Sequence, residues 1–152
     1  MLNSGVFVLN DSRDTPGERT AFCVLGRPRG GTTMASRMLE AAGVFMGENM
    51  PVTAEDPDFA GLLKDAHPDS AAFNALVEKR NAAHSRWGFK APFRHHWHLL
   101  DRLENVRFLV VFRDVLAVAN RNRISANAEL VTSMLANIEL ERKIVDYVAK
   151  ST

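Results

Sequence analysis

A glycine-rich loop between two apolar segments constrains the fold of this chain more than any other feature. The segment 21–26 is a short apolar run of the kind that forms a strand buried on both faces. The loop that follows, Gly26-Arg-Pro-Arg-Gly-Gly-Thr-Thr33, can continue neither a strand nor a helix. From residue 32 to 43, apolar side chains recur at helical spacing, at Met34, Met38, Leu39 and Ala42. The order strand, glycine-rich loop, helix is typical of phosphate-binding loops.

The rest of the chain predicts an α/β fold with a mainly parallel sheet flanked by helices, because strands alternate with helices. Ser70 and Asp114 are expected to cap helices. The last helix carries an apolar stripe that is expected to face the core: Leu130, Met134, Ile138, Ile144, Val145 and Val148. Strands are predicted at 86–90 and 106–112, helices at 70–84 and 126–149, a short helix near 59–65, and a His-, Trp- and Leu-rich helix that ends near 103.

Length and composition suit one domain over residues 1–152, with 1–20 as a lead-in segment. The net charge of +1 excludes a strong polycationic surface, so nucleic acid is not expected as a partner. The single cysteine, Cys23, excludes an internal disulfide and a cysteine-based zinc site, and it favours a reducing compartment. No apolar run approaches the roughly 20 residues that span a bilayer, so we expect a cytoplasmic protein without a membrane span.

The loop has the physical properties of an anion site. Glycines let the backbone approach an anion closely, and the N–H groups of Gly31, Thr32 and Thr33 are expected to point out of a helix N-terminus that carries about half a positive charge. Thr32 stands where the P-loop lysine of nucleoside triphosphatases contacts the phosphates. Positive charge comes instead from Arg27 and Arg29 inside the loop.

Basic residues also follow the other two predicted strands. Lys90 ends one of them and Arg113 follows the other. Because ligands bind outside the carboxyl ends of parallel strands, these cations and the loop arginines are expected to gather at one edge of the sheet around a ligand with several negative charges. The alternative is that Lys90 and Arg113 are solvated residues paired with Asp114 or Glu55.

Three stretches resemble the sulfotransferases that use 3'-phosphoadenosine 5'-phosphosulfate (PAPS). They are the loop 26–33, Trp87-Gly-Phe-Lys-Ala-Pro92, and Val110-Val-Phe-Arg-Asp-Val-Leu-Ala-Val-Ala-Asn-Arg121, in the family's order and spanning roughly residues 21 to 123. The resemblance implies a P-loop-like, three-layer αβα fold. It also implies that the C-terminal part of the usual family domain is missing from this short chain.

The resemblance implies roles for the residues that match. Arg29 takes the basic position that balances charge on the bridging oxygen as the sulfuryl group leaves. Gly30, Gly31, Thr32 and Thr33 would hold the 5'-phosphate. Arg113 would grip the 3'-phosphate, and Arg121 stands where the family usually has a serine that contacts the same group.

The reaction implied is in-line transfer of a sulfuryl group from PAPS to a hydroxyl or amine of a small-molecule, carbohydrate or lipid acceptor. No metal is expected, because basic side chains neutralise the charge. Glu55 is the first candidate for the general base, and His95 is the second. His95 and His98 share a helix face, but no third ligand is evident, so a metal site is not expected there.

Two other functions fit parts of the pattern. One is a P-loop kinase or nucleoside triphosphatase, with Thr33 as a magnesium ligand and Asp114 as its acidic partner. The other is a non-catalytic, nucleotide-binding module that lacks a competent acceptor site, which a short chain favours. A sheet of about three strands would expose an edge, and a homodimer is one way to cover it.

Overall fold

The computed structural model describes residues 19–64, 69–91 and 96–150. Its centre is a sheet of three parallel strands, β1 (Thr20–Gly26), β2 (Arg86–Lys90) and β3 (Val106–Val111), in the order β2-β1-β3. Because both neighbours run parallel to β1, the carboxyl ends of all three strands lie at one edge of the sheet. The predicted α/β class with a parallel sheet is confirmed, and the three strands lie within one residue of their predicted bounds.

In the described residues, five α-helices and one 3-10 helix surround the sheet. Asp69, rather than Ser70, caps the 70–84 helix, since its carboxylate accepts the N–H groups of Ala71 and Ala72. The last helix begins four residues later than predicted, because Asn127 adopts a left-handed conformation (φ 48°) that ends the helix before it. The helices are α1 (Thr32–Ala41), α2 (Pro57–Lys64), α3 (Ser70–Ala83), a 3-10 helix (Trp97–Arg102), α4 (Val115–Ala126) and α5 (Leu130–Lys150).

Helices cover both faces of the sheet, because successive residues of β1 point to opposite sides. Val24 and Phe22 pack toward α1, where Ala35, Val44 and Met46 complete a small cluster. The other face carries the larger cluster, built from α2, α3, the 3-10 helix and α5 around Ala21, Cys23 and Leu25. The prediction that β1 is buried on both faces is confirmed.

The predicted core-facing stripe of α5 is wrong in part, and α1 also buries residues other than its most apolar ones. Met34 and Met38 of α1 are each 64% exposed, and the helix buries Thr32, Ala35 and Ser36 instead. In α5, the predicted core residues Ile138 and Val145 are exposed, and the buried side is Ser133, Asn137, Leu140, Ile144 and Val148. Small and polar side chains occupy part of the buried side in both helices, so hydrophobicity alone selects the wrong face.

Within the described ranges, no helix combines the length and the apolar character that crossing a bilayer requires.

Candidate functional site

The glycine-rich loop turns the chain sharply from β1 into α1. At Gly26 (φ 155°) a side chain would meet the carbonyl oxygen of Val111 at 2.7 Å, so only glycine fits. The N–H of Gly30 donates to the Arg27 carbonyl at 3.0 Å, and Arg29 between them is left-handed (φ 67°). Gly31 (φ 110°) follows as the residue directly before α1. This turn places the first amides of α1 at the carboxyl edge of the sheet.

The start of α1 differs from that of the other described α-helices. At the start of each of these helices, a side-chain carboxylate accepts hydrogen bonds from backbone N–H groups. The carboxylate belongs to Asp56 in α2, Asp69 in α3, Asp114 in α4 and Glu129 in α5. The residue before α1 is Gly31, which offers no side-chain cap. A helix N-terminus without a cap keeps N–H donors and the positive end of the helix dipole for an anion.

Lys90 reaches this helix start from β2. Its pairing with Val24 in the parallel register points its side chain to the face that α1 covers. The buried ammonium lies 3.5 Å from the Thr33 hydroxyl, donates to the Thr53 carbonyl at 2.5 Å and forms an ion pair with Glu55 at 3.3 Å. The Thr33 hydroxyl donates to the same Thr53 carbonyl at 3.0 Å. Three residues that the sequence singled out therefore lie together.

Glu55 is held in place by the backbone around it. Ala54 is left-handed (φ 54°) and fully buried, and its N–H donates to the Pro51 carbonyl at 2.9 Å. The Glu55 side chain is still 25% exposed, whereas that of Lys90 is 5% exposed. The carboxylate is therefore more accessible to a molecule in solvent than its partner is.

The ion pair of Lys90 with Glu55 is one of the two pairings named in the alternative to ligand binding, but Lys90 is buried and not solvated as that alternative expected. Asp114 does not take part in it, because its carboxylate accepts the Ala117 N–H at 2.7 Å and caps α4. The cap on α4 is itself a confirmed prediction.

The four arginines of the predicted site divide into two groups. Arg27 is buried and lies within electrostatic range of Glu141 on α5, whose pKa is raised by burial and lowered in part by the Arg27 guanidinium. Arg29, Arg113 and Arg121 are exposed. Arg29 lies in the loop and Arg113 follows β3, so both are at the carboxyl edge of the sheet. The structure thus gives Arg27 a neighbour in α5 that the loop sequence did not indicate.

A buried ion pair that the sequence did not indicate lies next to Glu55. Arg80 of α3 contacts Asp56 at 3.0 Å and Asp58 at 2.9 Å, and its guanidinium lies 4.8 Å from the ring centre of Phe45. Burial raises the pKa of Asp56, and the nearby Arg80 guanidinium opposes that rise. The order Asp56-Pro57 is a common signal for a helix start and would have identified the cap, but not its arginine partner.

The structure does not test the two predictions that involve His95, its role as second candidate base and the absence of a metal site with His98. His95 lies outside the described residues. His96 and His98 have ring centres 6.0 Å apart. Over the described ranges, no three His, Cys, Asp or Glu side chains converge as metal ligands would.

A groove of about 500 Å³ lies away from the loop, at the end of the sheet where β3 begins. Leu100, Val106, Phe108 and Tyr147 form part of its lining. The Tyr147 hydroxyl donates to Asp101 at its rim, at 2.7 Å. None of the predicted site residues lines this groove.

Comparison with known proteins gave no match to a family model, a curated protein or a solved structure. Three features of the site define its chemistry. They are a helix start without a side-chain cap, a buried lysine paired with a half-buried carboxylate, and exposed arginines at the same edge of the sheet.

Proposed function

We propose that this chain is a sulfotransferase that binds PAPS at the carboxyl edge of its sheet, in a P-loop-like fold. The observation that carries the proposal is the start of α1, where backbone N–H groups without a side-chain cap lie beside the Lys90 ammonium. An oxyanion of the 5'-phosphosulfate is the natural ligand of such a position. The motif resemblance of the loop and of the segment 110–121 supports this donor.

The arrangement supports a division of roles between the two ends of the nucleotide. Gly30, Gly31, Thr32 and Thr33 would bind the 5'-phosphate through the loop and the first turn of α1. Arg113 and Arg121, which follow β3, would bind the 3'-phosphate. A 3'-phosphate separates PAPS from ATP, so these two arginines would determine the choice of nucleotide.

Glu55 would act as the general base. In the transfer, the acceptor oxygen or nitrogen forms a bond to sulfur as the bond between sulfur and the bridging phosphate oxygen breaks. Glu55 takes the proton that the acceptor loses, and adenosine 3',5'-bisphosphate leaves with the bridging oxygen. Arg29 balances the negative charge that develops on that oxygen. Lys90 lies between Glu55 and the start of α1, so it places positive charge near the Glu55 carboxylate and near the first turn of α1.

The first experiment is calorimetric titration with adenosine 3',5'-bisphosphate, ATP and 5'-AMP, each with and without Mg²⁺. We expect tight, metal-independent binding of the bisphosphate alone. Arg113→Ala should weaken it by roughly 10- to 100-fold, the value of a charge-assisted hydrogen bond, and should remove the preference for ligands with a 3'-phosphate. Arg123→Ala is the matched control, since Arg123 is also exposed but near the far end of α4.

The outcomes separate the three functions. Preference for ATP with Mg²⁺ would replace the proposal with a kinase or nucleoside triphosphatase. Binding of the bisphosphate without sulfuryl transfer to a panel of phenol, carbohydrate, lipid and amine acceptors would indicate a non-catalytic module. Where transfer is found, Arg29→Ala and Glu55→Gln should each lower turnover about 10²- to 10³-fold while bisphosphate binding by Glu55→Gln stays unchanged.

A further inference from the structure

The outer edge of β3 carries backbone groups beside which no other described strand lies. The Ala21 N–H donates to the Asn105 carbonyl at 3.2 Å, and Ala21 pairs with Val106 in the parallel register. In a parallel pair, a residue bonds to the two neighbours of its partner, so every second residue of β3 faces β1 and the others face outward. The outward N–H and C=O groups are those of Val106, Phe108 and Val110. Such an edge binds an extended strand through its main chain.

The groove of about 500 Å³ runs beside this edge. Val106 and Phe108 belong to both features, because their side chains line the groove while their backbone groups face outward. Most of the remaining lining is apolar and comes from α5 and the region of the 3-10 helix: Leu100, Asp101, Leu103, Tyr147 and Lys150. A strand beside β3 would direct every second side chain to the groove. The groove therefore suits an extended segment with large apolar side chains at alternate positions.

One segment of this chain outside the described residues has that pattern. It is 5–9, Gly5-Val-Phe-Val-Leu9, and β-branched and aromatic residues are typical of strands. Its two largest side chains, Phe7 and Leu9, are two positions apart and would share one side of a strand. The segments 65–68 and 92–95 each contain a proline, which cannot donate to a strand ladder, and 151–152 is too short to pair.

The link between this segment and β1 selects its direction. Ten residues, 10–19, join it to Thr20 at the start of β1. In an antiparallel strand, Leu9 would lie near Val106, at the amino end of β3. Two strand spacings, about 10 Å, would then separate it from Thr20, and a link of this length can span about 33 Å. A parallel strand would need a crossover of about a dozen residues or more.

The link also favours this segment over a second copy of the chain. A short flexible link holds a tethered segment at an effective concentration on the order of 1 mM. A strand from another molecule is present only at the concentration of the protein itself. At micromolar protein, the edge of β3 is therefore expected to bind the segment of its own chain first.

We propose that the segment 5–9 binds the outer edge of β3 as an antiparallel strand, with Phe7 opposite Phe108 and Leu9 opposite Val106. This register directs Phe7 and Leu9 into the groove, whereas a shift by one residue would direct the smaller Val6 and Val8 there. The sheet gains a strand on its β3 side. The proposal goes beyond the proposed function and does not depend on it, because no residue of the candidate site takes part.

The first test is amide hydrogen exchange measured by NMR. The variant is Phe7→Pro, which removes both a ladder donor and a groove side chain. We expect the N–H groups of Val106, Phe108 and Val110 to exchange at least about tenfold faster in this variant than in the natural chain.

Two controls accompany the exchange measurement. The N–H groups of Arg107 and Leu109 face β1, so they should stay protected in both proteins and report that β3 is intact. Ser12→Pro lies in the link and is the matched proline control. It should leave the exchange of the outward groups as it is in the natural chain.

The second test tests the register and the origin of the strand. Leu9→Cys and Val106→Cys are combined in one chain, because opposite residues of an antiparallel pair lie at about 5.5 Å between Cα atoms, within the range of a disulfide. We expect a disulfide within the chain, identified by peptide mass spectrometry. Leu9→Cys with Leu109→Cys is the control and should not form one, since position 109 lies about 10 Å further along β3. Cys23 does not interfere, because it is fully buried.

Three results would overturn the proposal. They are fast exchange of the outward N–H groups in the natural chain, protection that Phe7→Pro leaves unchanged, and a disulfide between chains instead of within one. The second would point to another strand on the edge, such as a second β3, and the third to exchange of the segment between two copies.

Discussion

The ion pair of Arg80 and Asp56 joins α3 to the start of α2, next to the candidate base. Both side chains are almost completely buried, and Asp56 also accepts the Asp58 N–H. A buried charge that loses its partner is costly, because neither water nor an opposite charge replaces it. The Arg80 side chain thus stabilises both the Asp56 cap of α2 and the segment before it, which positions Glu55.

We expect Arg80→Met to lower the free energy of unfolding by about 3 kcal/mol at pH 7. The loss should shrink as the pH falls toward 4. Without Arg80 the pKa of Asp56 rises further above its unfolded value, so the folded variant binds a proton that removes the buried charge. Urea unfolding at several pH values measures both effects. Lys79→Met, at an exposed neighbour, should change stability little, and a loss that is the same at every pH would contradict the role of Asp56.

At the level of the elements, side-chain caps distinguish α1 from the other described α-helices. Carboxylates cap α2, α3, α4 and α5, whereas the residue before α1 is the loop glycine Gly31. Capping carboxylates stabilise a helix by accepting its first N–H groups. The first N–H groups of α1 have no such carboxylate, so under the proposed function the local stability of α1 should rise when an anion binds there.

The cap on α5 provides a pH-dependent test. Hydrogen bonds from the Thr132 N–H and hydroxyl and from the Val131 N–H lower the pKa of Glu129. A lowered folded pKa contributes stability above the unfolded value near 4.5, and that stability is lost as the pH falls through the folded pKa. We expect Glu129→Gln to be less stable than the natural chain at pH 7 and equally stable at low pH. Glu78→Gln, on the exposed side of α3, is the control, and a difference that persists at low pH would argue against the cap.

At the level of the whole molecule, the two edges of the sheet differ. Phe45 forms a bridge with Trp87 along β2, which covers part of that edge. β3 has no further strand beside it within the described residues. The exposed Leu109 and Phe112 leave apolar surface near β3, and α5 adds four exposed apolar side chains to it: Val131, Leu135, Ile138 and Val145.

The α/β class, the three strands and the order of strand, glycine-rich loop and helix could be predicted from local sequence alone. The segment 21–25 of β1 is apolar throughout, glycines interrupt the chain between β1 and α1, and Asp114 caps the helix after it. Each of these signals depends on a few neighbouring residues, so local chemistry is sufficient to predict them.

Other features depend on contacts between segments far apart in the chain. The ion pair of Lys90 with Glu55 needs β2 beside β1, and that of Arg80 with Asp56 needs α3 against α2. The buried side of α5 was predicted incorrectly because Ile138 and Val145 are as apolar as the residues that the core takes. Periodicity shows that a helix has an apolar face, but where two faces are apolar, only the packing of the sheet decides which one is buried.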